Sequence, residues 1–368
     1  MSVFTPEDHA YMARALQLAR YGLYTTHPNP RVGCVLVRDG QIVGEGWHER
    51  AGQPHAEVFA LRAAEGRAQG ATAYVSLEPC AHYGRTPPCA EALVAAKVAK
   101  VIAAMVDPNP LVAGQGLQRL QSVGIETASG LLAVEARALN PGFMSLMERQ
   151  RPFVRIKMAM SLDGRTAMAS GESVWITGEA ARRDVQFWRA QAGAVLTGID
   201  TVLMDQPKLN VRLTAQELGI SGEVRQPVRV VLDSKLRFPL EAPLLETAGQ
   251  VLIYTCSTDE AKITLLQNLG IQVRQFTGNR LDLTEVLKAL KVDGINEVHV
   301  EAGATLSGQF IEQGLADELV LYMAPHLMGS AARPLFNLPL ITMAERYALS
   351  IRDIRVVGQD WRILADFK

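Results

Sequence analysis

Apolar and polar positions along this chain change period every few residues, and those changes mark strands alternating with helices. The N-terminal stretch up to Leu16 reads as a helix: Thr5 caps it, Pro6 fits the first turn, and Glu7 and Asp8 complement the dipole. Arg31–Arg38 (RVGCVLVR) and Gln41–Trp47 read as two strands of a hairpin turning at Asp39-Gly40. His55–Arg67 is helical, Ala73–Leu77 is a short buried strand, and Cys89–Lys97 is a helix opening directly after Pro87-Pro88. Val98–Val106 is an apolar strand, Gly114–Val123 a helix, and Gly124–Thr127 opens a fifth strand. Five strands with interleaved helices make a layered α/β sandwich.

The polar stretch Glu148–Pro152 follows a helical segment, and the pattern then restarts. Strands are expected at Phe153–Met160, Ala194–Thr197, Val228–Asp233, Val251–Thr255, Ile271–Phe276, Val298–Glu301 and Glu318–Met323. Helices fall near Glu179–Ala192, Glu260–Leu269, Leu283–Leu290 and Leu306–Gln313. Two α/β domains are therefore expected, residues 1–147 and 152–368, in keeping with a length of 368 residues. No internal repeat or low-complexity segment interrupts them.

Composition narrows the class. The net charge of −1 and the absence of a basic block give no nucleic-acid surface. No apolar run reaches the roughly 18 residues of a membrane span, and the N-terminus lacks a signal-peptide pattern. Four cysteines in a chain this long do not make a disulfide framework, so a cytoplasmic protein is expected. A homo-oligomer is compatible with the sequence.

The chemistry concentrates in two segments, His55-Ala56-Glu57 and the run from Pro79-Cys80 to Cys89. One His and two Cys are ligands suited to Zn²⁺, and three protein ligands leave a position for water. Glu57 can carry protons for that water. The order His-x-Glu then Pro-Cys is that of zinc nucleobase deaminases, except that eight residues separate Cys80 from Cys89 where that signature has two. On a regular helix His55 and Glu57 would point to nearly opposite sides, so the pair fits a helix start. A structural zinc is the alternative, with His82 or Cys34 as fourth ligand; Cys34, in an apolar strand, reads better as a core residue, and Cys256 likewise. Asn29, before the first strand, could bond a ribose or ring edge, or merely make a turn. Arg85 could pair with a phosphate, or be a solvated loop charge.

The run PCAHYGRTPPC resembles the deaminase half of the bifunctional deaminase/reductases of riboflavin biosynthesis. That resemblance implies a cytidine-deaminase-like three-layer α/β/α sandwich. It also implies substrate contacts at Asn29, His48 and Arg85, the last often Lys in the family.

Gly114-Gln115-Gly116, in the first region, lacks the third glycine of a dinucleotide fingerprint and reads as a helix start; in the second region three segments stand out. Lys157–Arg165 is a strand running into a turn at Asp163-Gly164. Thr197–Asp205 leads to Pro207, Leu209, Asn210 and Arg212. Val300–Gly308 is a strand, a small-residue turn and a helix start, which can bring backbone N–H groups to a phosphate. Each alone is more often simple packing. In this order they resemble the reductase half of the same family, which implies a dihydrofolate-reductase-like fold using NADPH. By that resemblance Ala159, Trp175, Thr201, Asp205, Ser234 and the turn Gly303, Ala304, Thr305, Leu306, Ser307, Gly308 and Gln309 face the cofactor. Ser173, Arg189, Leu209, Arg212 and Glu301 face a ribosyl-phosphate substrate. Arg189 and Arg212 suit a phosphate clamp, and Lys157 and Asp205 are candidates for proton transfer, or for a structural ion pair.

The resulting expectation is a two-step enzyme: zinc-dependent deamination of a phosphorylated diaminopyrimidine, then NADPH-dependent reduction of its ribosyl group to ribityl. The rivals are a nucleoside or nucleic-acid deaminase with an unrelated C-terminal domain, and a zinc-stabilised binding module.

Overall fold

A computed structural model describes residues 4–81, 88–110 and 112–368. The chain divides into two compact units, Met1–Gln150 with Gly219–Gly222, and Arg151–Leu218 with Glu223–Lys368.

The first unit holds a five-stranded sheet made of β1 (Gly33–Arg38), β2 (Gln41–Trp47), β3 (Thr72–Val75), β4 (Lys100–Ala103) and β5 (Glu126–Ser129), in the order β2-β1-β3-β4-β5. β1 and β2 form the expected hairpin, with Asp39 and Gly40 both at positive φ (51° and 73°), the backbone that favours Asp-Gly there. From β3 onward the strands are parallel.

Helices α1 (Pro6–Ala19), α2 (Ala56–Ala63), α3 (Cys89–Ala95), α4 (Gln115–Ser122), α5 (Ala133–Leu139) and α6 (Pro141–Arg149) cover both faces. Ala56, Ala60, Ala90, Leu93, Leu117 and Leu120 of α2–α4 pack with Cys34, Leu36, Val75 and Val101 on one face. Met12, Ala15 and Leu16 of α1, with Ala136 and Met144, pack with Val35, Val37, Tyr74 and Ile102 on the other. This is a three-layer α/β/α sandwich. α1 starts in a capping box, in which the Thr5 side chain accepts from Asp8 N and Asp8 Oδ2 accepts from Thr5 N. It lies so close to the sheet that a Cβ on Gly33 would stand 2.0 Å from the Ala15 carbonyl oxygen.

The second unit is built on β6 (Phe153–Ser161), β8 (Ala194–Gly198), β9 (Val228–Leu232), β10 (Val251–Thr255), β11 (Gln272–Gln275), β12 (Glu297–Glu301), β13 (Glu318–Ala324), β15 (Leu349–Val357) and β16 (Asp360–Phe367). Their order is β11-β10-β9-β8-β12-β6-β13-β16-β15, and β7 (Arg165–Ala167) pairs separately with β14 (Arg333–Pro334). Pairing is parallel from β11 through β13 and antiparallel at β13–β16–β15.

The helices are α7 (Glu179–Gln191), α8 (Ile199–Asp205), α9 (Ala215–Leu218), α10 (Glu260–Asn268), α11 (Leu283–Val292) and α12 (Ala304–Glu312). α11 and α12 bury Leu287, Leu290, Phe310 and Ile311 against Val154, Ile156, Val298 and Val300. On the opposite face α8 and α10 cover Val195, Val231 and Ile253, and α7 covers Val320 and Tyr322. Under α7 that face is also polar: Arg155 pairs with Glu297 and with Glu318, all three buried. The unit is the dihydrofolate-reductase-like α/β domain that the resemblance implied.

No helix among the described residues is long and apolar enough to cross a membrane.

Two candidate active sites

In the first unit the helix start resolves the spacing of His55 and Glu57. His55 is the N-cap of α2, with extended backbone (φ −77°, ψ 168°), and Glu57 lies in the first helical turn. The two side chains therefore escape strict helical geometry. Cys80 follows β3 through Ser76-Leu77-Glu78-Pro79, and Cys89 is the first residue of α3. His55 Nδ1 lies 3.2 Å from Cys89 Sγ and 3.6 Å from Cys80 Sγ, and the three ligand atoms all fall within 4.8 Å of one another. Cys34 is fully buried among the apolar side chains of β1 and is not in that cluster. His82 and Arg85 lie outside the described residues.

The two thiols share charge unequally. Hydrogen bonding with Cys89, opposed by burial and joined by His55 and the Cys89 amide, lowers the Cys80 thiol to about 4. The same contact, together with burial, pushes Cys89 up. The hydrogen bond that Cys89 N donates to Cys80 Sγ (3.3 Å) is a helix N-terminus donating to a thiolate. A soft-to-borderline cation fits a set of two thiols and one imidazole that crowd around a single point.

Glu57 is buried, its Oε2 has no hydrogen-bond partner among the described residues, and burial pushes its carboxyl up to about 6. An orphaned buried carboxylate oxygen costs free energy unless something else meets it.

His48 is 2 % exposed. Its Nδ1 lies 3.0 Å from the Pro54 carbonyl oxygen and its Nε2 3.1 Å from Asn29 Nδ2. A carbonyl can only accept, so Nδ1 carries hydrogen and, in the neutral ring, Nε2 accepts from Asn29. The Asn29 carbonyl oxygen is left for another donor. His48 thus reaches the site chiefly through Asn29 and through its edge contact with the His55 ring (centroids 5.5 Å apart).

In the second unit the candidate residues gather at the C-terminal ends of parallel strands, where α/β sheets bind ligands. Lys157 of β6 and Glu301 of β12 are register partners. Glu301 takes a bidentate grip from Arg189 of α7, whose Nη1 also donates to the Asn210 carbonyl (3.1 Å). Burial, opposed by Glu301 and Asp205 and aided by Arg189, lowers the Lys157 ammonium. Arg212 makes no ion pair among the described residues; partial burial of its guanidinium, with Arg189 and Arg182 nearby and Glu301 opposing, lowers it. Asp205 ends α8 and accepts from Ser173 Oγ (3.1 Å).

The expected cofactor residues occupy several places. Ala159 packs beside Val320 and Tyr322 under α7. Thr201 is in α8, and Trp175 is 70 % exposed with the Arg182 guanidinium 4.5 Å from its ring centroid. Ser234 follows β9, where its Oγ accepts from Leu281 N (3.3 Å).

Gly303 is the N-cap of α12 without a side-chain cap, and a Cβ built on it meets nothing within 4 Å. Open space before an uncapped helix start suits a cofactor phosphate. Ala304, Thr305 and Gln309 are accessible, and Leu306 leans toward Gly198 at the start of α8. Ser307 and Gly308 are buried instead: Ser307 Oγ donates to the Ala302 carbonyl, and a Cβ on Gly308 would stand 2.5 Å from the Asn337 carbonyl oxygen. Leu209 is likewise buried, at φ 51°, so it offers a ligand only its backbone.

The Asn210 carbonyl, which accepts from Arg189 Nη1, carries no sequence signal.

The RibD C-terminal domain family matches residues 152–363, and the cytidine and deoxycytidylate deaminase zinc-binding region matches residues 5–105. The riboflavin biosynthesis protein RibD of Escherichia coli is 50% identical over 365 residues, covering 96% of this chain and 98% of that protein. The solved structure of Acinetobacter baumannii RibD is 50% identical with a TM-score of 0.90, covering 98% of this chain and 99% of that one. A Thermotoga maritima diaminohydroxyphosphoribosylaminopyrimidine deaminase/5-amino-6-(5-phosphoribosylamino)uracil reductase is 30% identical with a TM-score of 0.87, again covering 98% and 99%.

Proposed function

The chain belongs to the RibD family of riboflavin biosynthesis proteins, bifunctional deaminase and reductase enzymes, and from that premise we propose which residues carry each reaction and on what substrates. The observation that carries the reading is the convergence of His55, Cys80 and Cys89 beside Glu57, whose buried Oε2 has no hydrogen-bond partner among the described residues.

Residues 1–147 deaminate the diaminopyrimidine ribosylamine phosphate named for the Thermotoga relative. His55, Cys80 and Cys89 hold zinc. When bound, zinc supplies an acidified water for attack on the amine-bearing carbon. Glu57 does the proton work at Oε2: it takes the water's two protons in turn, passing the first to the ring nitrogen and the second to the departing amine, which leaves as ammonia as the ring carbonyl forms. Its raised pKa suits a group that must both take and give protons near neutrality. Asn29, turned by His48, offers a carbonyl oxygen to a donor on the substrate.

Residues 152–368 reduce the ribosyl group of 5-amino-6-(5-phosphoribosylamino)uracil to ribityl. NADPH, when bound at the Gly303 turn with Ala159, Trp175, Thr201, Asp205 and Ser234 about it, supplies hydride to the sugar C1′. Lys157 and Asp205 manage the accompanying proton. Arg189 and Arg212 hold the phosphate, and Glu301 fixes the Arg189 fork so that its remaining N–H groups face the ligand. Ser173 and the Leu209 backbone complete the substrate side. Small phosphorylated pyrimidines are thus the partners, and the cytoplasm the place.

The test is product identification with purified protein. With the diaminopyrimidine alone, ammonia and the deaminated ribosyl compound should form. With NADPH added, the ribityl compound should follow. Ammonia release without any NADPH-dependent product would confine the reading to the first unit.

A further inference from the structure

Glu78 is 4 % exposed, and no cation pairs with it among the described residues. Four backbone N–H groups hold it instead. Oε1 accepts from Gly116 N (2.9 Å) and Leu117 N (3.2 Å), and Oε2 accepts from Gly114 N (2.9 Å) and Asp107 N (3.0 Å). Three of the four belong to the N-terminus of α4, whose own N-cap is Gly114 at φ 83° with no side chain to offer. A residue distant in sequence thus caps this helix, and the helix start neutralises a carboxylate that burial would otherwise penalise.

The grip continues along the chain. A Cβ on Gly116 would stand 1.9 Å from the Pro79 carbonyl oxygen, so α4 rests directly on the Glu78-Pro79-Cys80 backbone. Glu78 N in turn donates to the Met105 carbonyl (3.0 Å) at the end of the neighbouring strand. Pro79 has a fixed φ and little room to yield. Cys80 comes next, with its Sγ held from the other side by Cys89 N.

We infer that Glu78 is a positioning residue for the metal site: it clamps α4 onto the Pro79-Cys80 turn and so fixes where the Cys80 sulfur stands. The inference rests on the proposed zinc reading. Outer partners of a metal ligand typically change metal affinity about 10- to 100-fold when removed. Glu78→Gln keeps the shape but sets an NH2 group against two backbone donors, and Glu78→Ala removes all four bonds. Gly116→Ala presses on the same contact from the helix side.

The experiment loads the full-length protein with zinc, measures metal content, and follows zinc release to a chromogenic chelator. Circular dichroism and a cooperative melting transition report that the first unit of each variant is folded, and NADPH-dependent reduction checks the second. Zinc release should quicken about 10- to 100-fold, more for Glu78→Ala than for Glu78→Gln, with Gly116→Ala behaving like them and reduction unchanged. A purely architectural role would lower the melting temperature without changing zinc release, and that result in Glu78→Gln or Gly116→Ala with a folded first unit overturns the inference. Wild-type protein that retains no zinc would overturn the zinc reading and the clamp with it.

Discussion

Arg189 and Glu301 meet as a bidentate ion pair, Nε to Oε1 at 2.5 Å and Nη2 to Oε2 at 2.9 Å. Burial would raise the Glu301 carboxyl, but the Arg189 guanidinium, helped by His299 and Lys157, outweighs it and holds it at about 2. An unfolded glutamate titrates near ~4.3. Because the folded value is the lower one, the stabilisation is fully present above the unfolded value and is lost as pH falls through about 2. At about 1.4 kcal/mol per pH unit it is on the order of 3 kcal/mol. Glu301→Gln should therefore be less stable than wild type near neutrality, and the gap should narrow as pH falls from about 4.5 to about 3. Denaturant midpoints of both proteins across that range check this; a gap constant with pH would contradict it.

Glu57→Gln keeps the size of a buried side chain while removing its proton chemistry. Ammonia release should fall by about 10²- to 10⁴-fold. Reduction of the pre-deaminated substrate should remain, since Lys157, Asp205 and Glu301 belong to the other unit. Steady-state assays of the two half-reactions on one preparation test the split, and equal loss of both would contradict the assignment of Glu57.

Metal removal should act on one reaction only. Dialysis against a strong chelator should abolish deamination, and added zinc should restore it, with reduction constant throughout. Cys80→Ala and Cys89→Ala should each prevent that restoration, because they delete a sulfur from the three-atom cluster proposed to hold the metal. Deamination at full rate in metal-free protein would end the zinc reading.

Gly303 and Gly308 lie five residues apart and should fail differently. A side chain at Gly303 meets no protein atom within 4 Å, and its backbone is ordinary extended chain (φ −72°, ψ 174°). Gly303→Val should leave the melting temperature nearly unchanged and weaken NADPH binding at least about tenfold by occupying the space before an uncapped helix start. Gly308→Ala drives a methyl against the Asn337 carbonyl and should destabilise by about 1–3 kcal/mol. Fluorescence titration with NADPH, paired with thermal melts, separates the two effects. Unchanged affinity in Gly303→Val would remove the cofactor from this turn.

Period and punctuation made most parallel strands and their helices legible, because a strand buried on both faces is a near-continuous apolar run. Asp39-Gly40 announced its hairpin for a different local reason, the positive φ that the tight turn requires. Boundaries ran long: Val98–Val106 shortens to Lys100–Ala103, since apolar residues continue past the last ladder bond. β15 and β16 went unread. β15 is almost wholly exposed, and a register shift between Ile351 and Asp353 breaks its alternation. The strand order was also invisible, because β6 pairs with strands far along the chain.

In the first site, the His55, Glu57, Cys80 and Cys89 pattern was legible from spacing, and their meeting point only from the fold. The roles of His48, caught between Pro54 and Asn29, and of Glu78 depend on backbone groups that carry no residue signature.

The central place of β6 has a consequence for synthesis. Its two neighbours, β12 and β13, begin at Glu297 and Glu318. While a ribosome makes the chain, the first strand of the second unit must wait, both edges unpaired, for well over a hundred residues to emerge. Its sequence, FVRIKMAMS, is one that other nascent strands could join. The first unit has no such delay, since each strand pairs with one already made or next in line. The two halves of this enzyme should thus mature at different times, with the deaminase sheet complete while the reductase sheet still depends on the last segments to leave the ribosome.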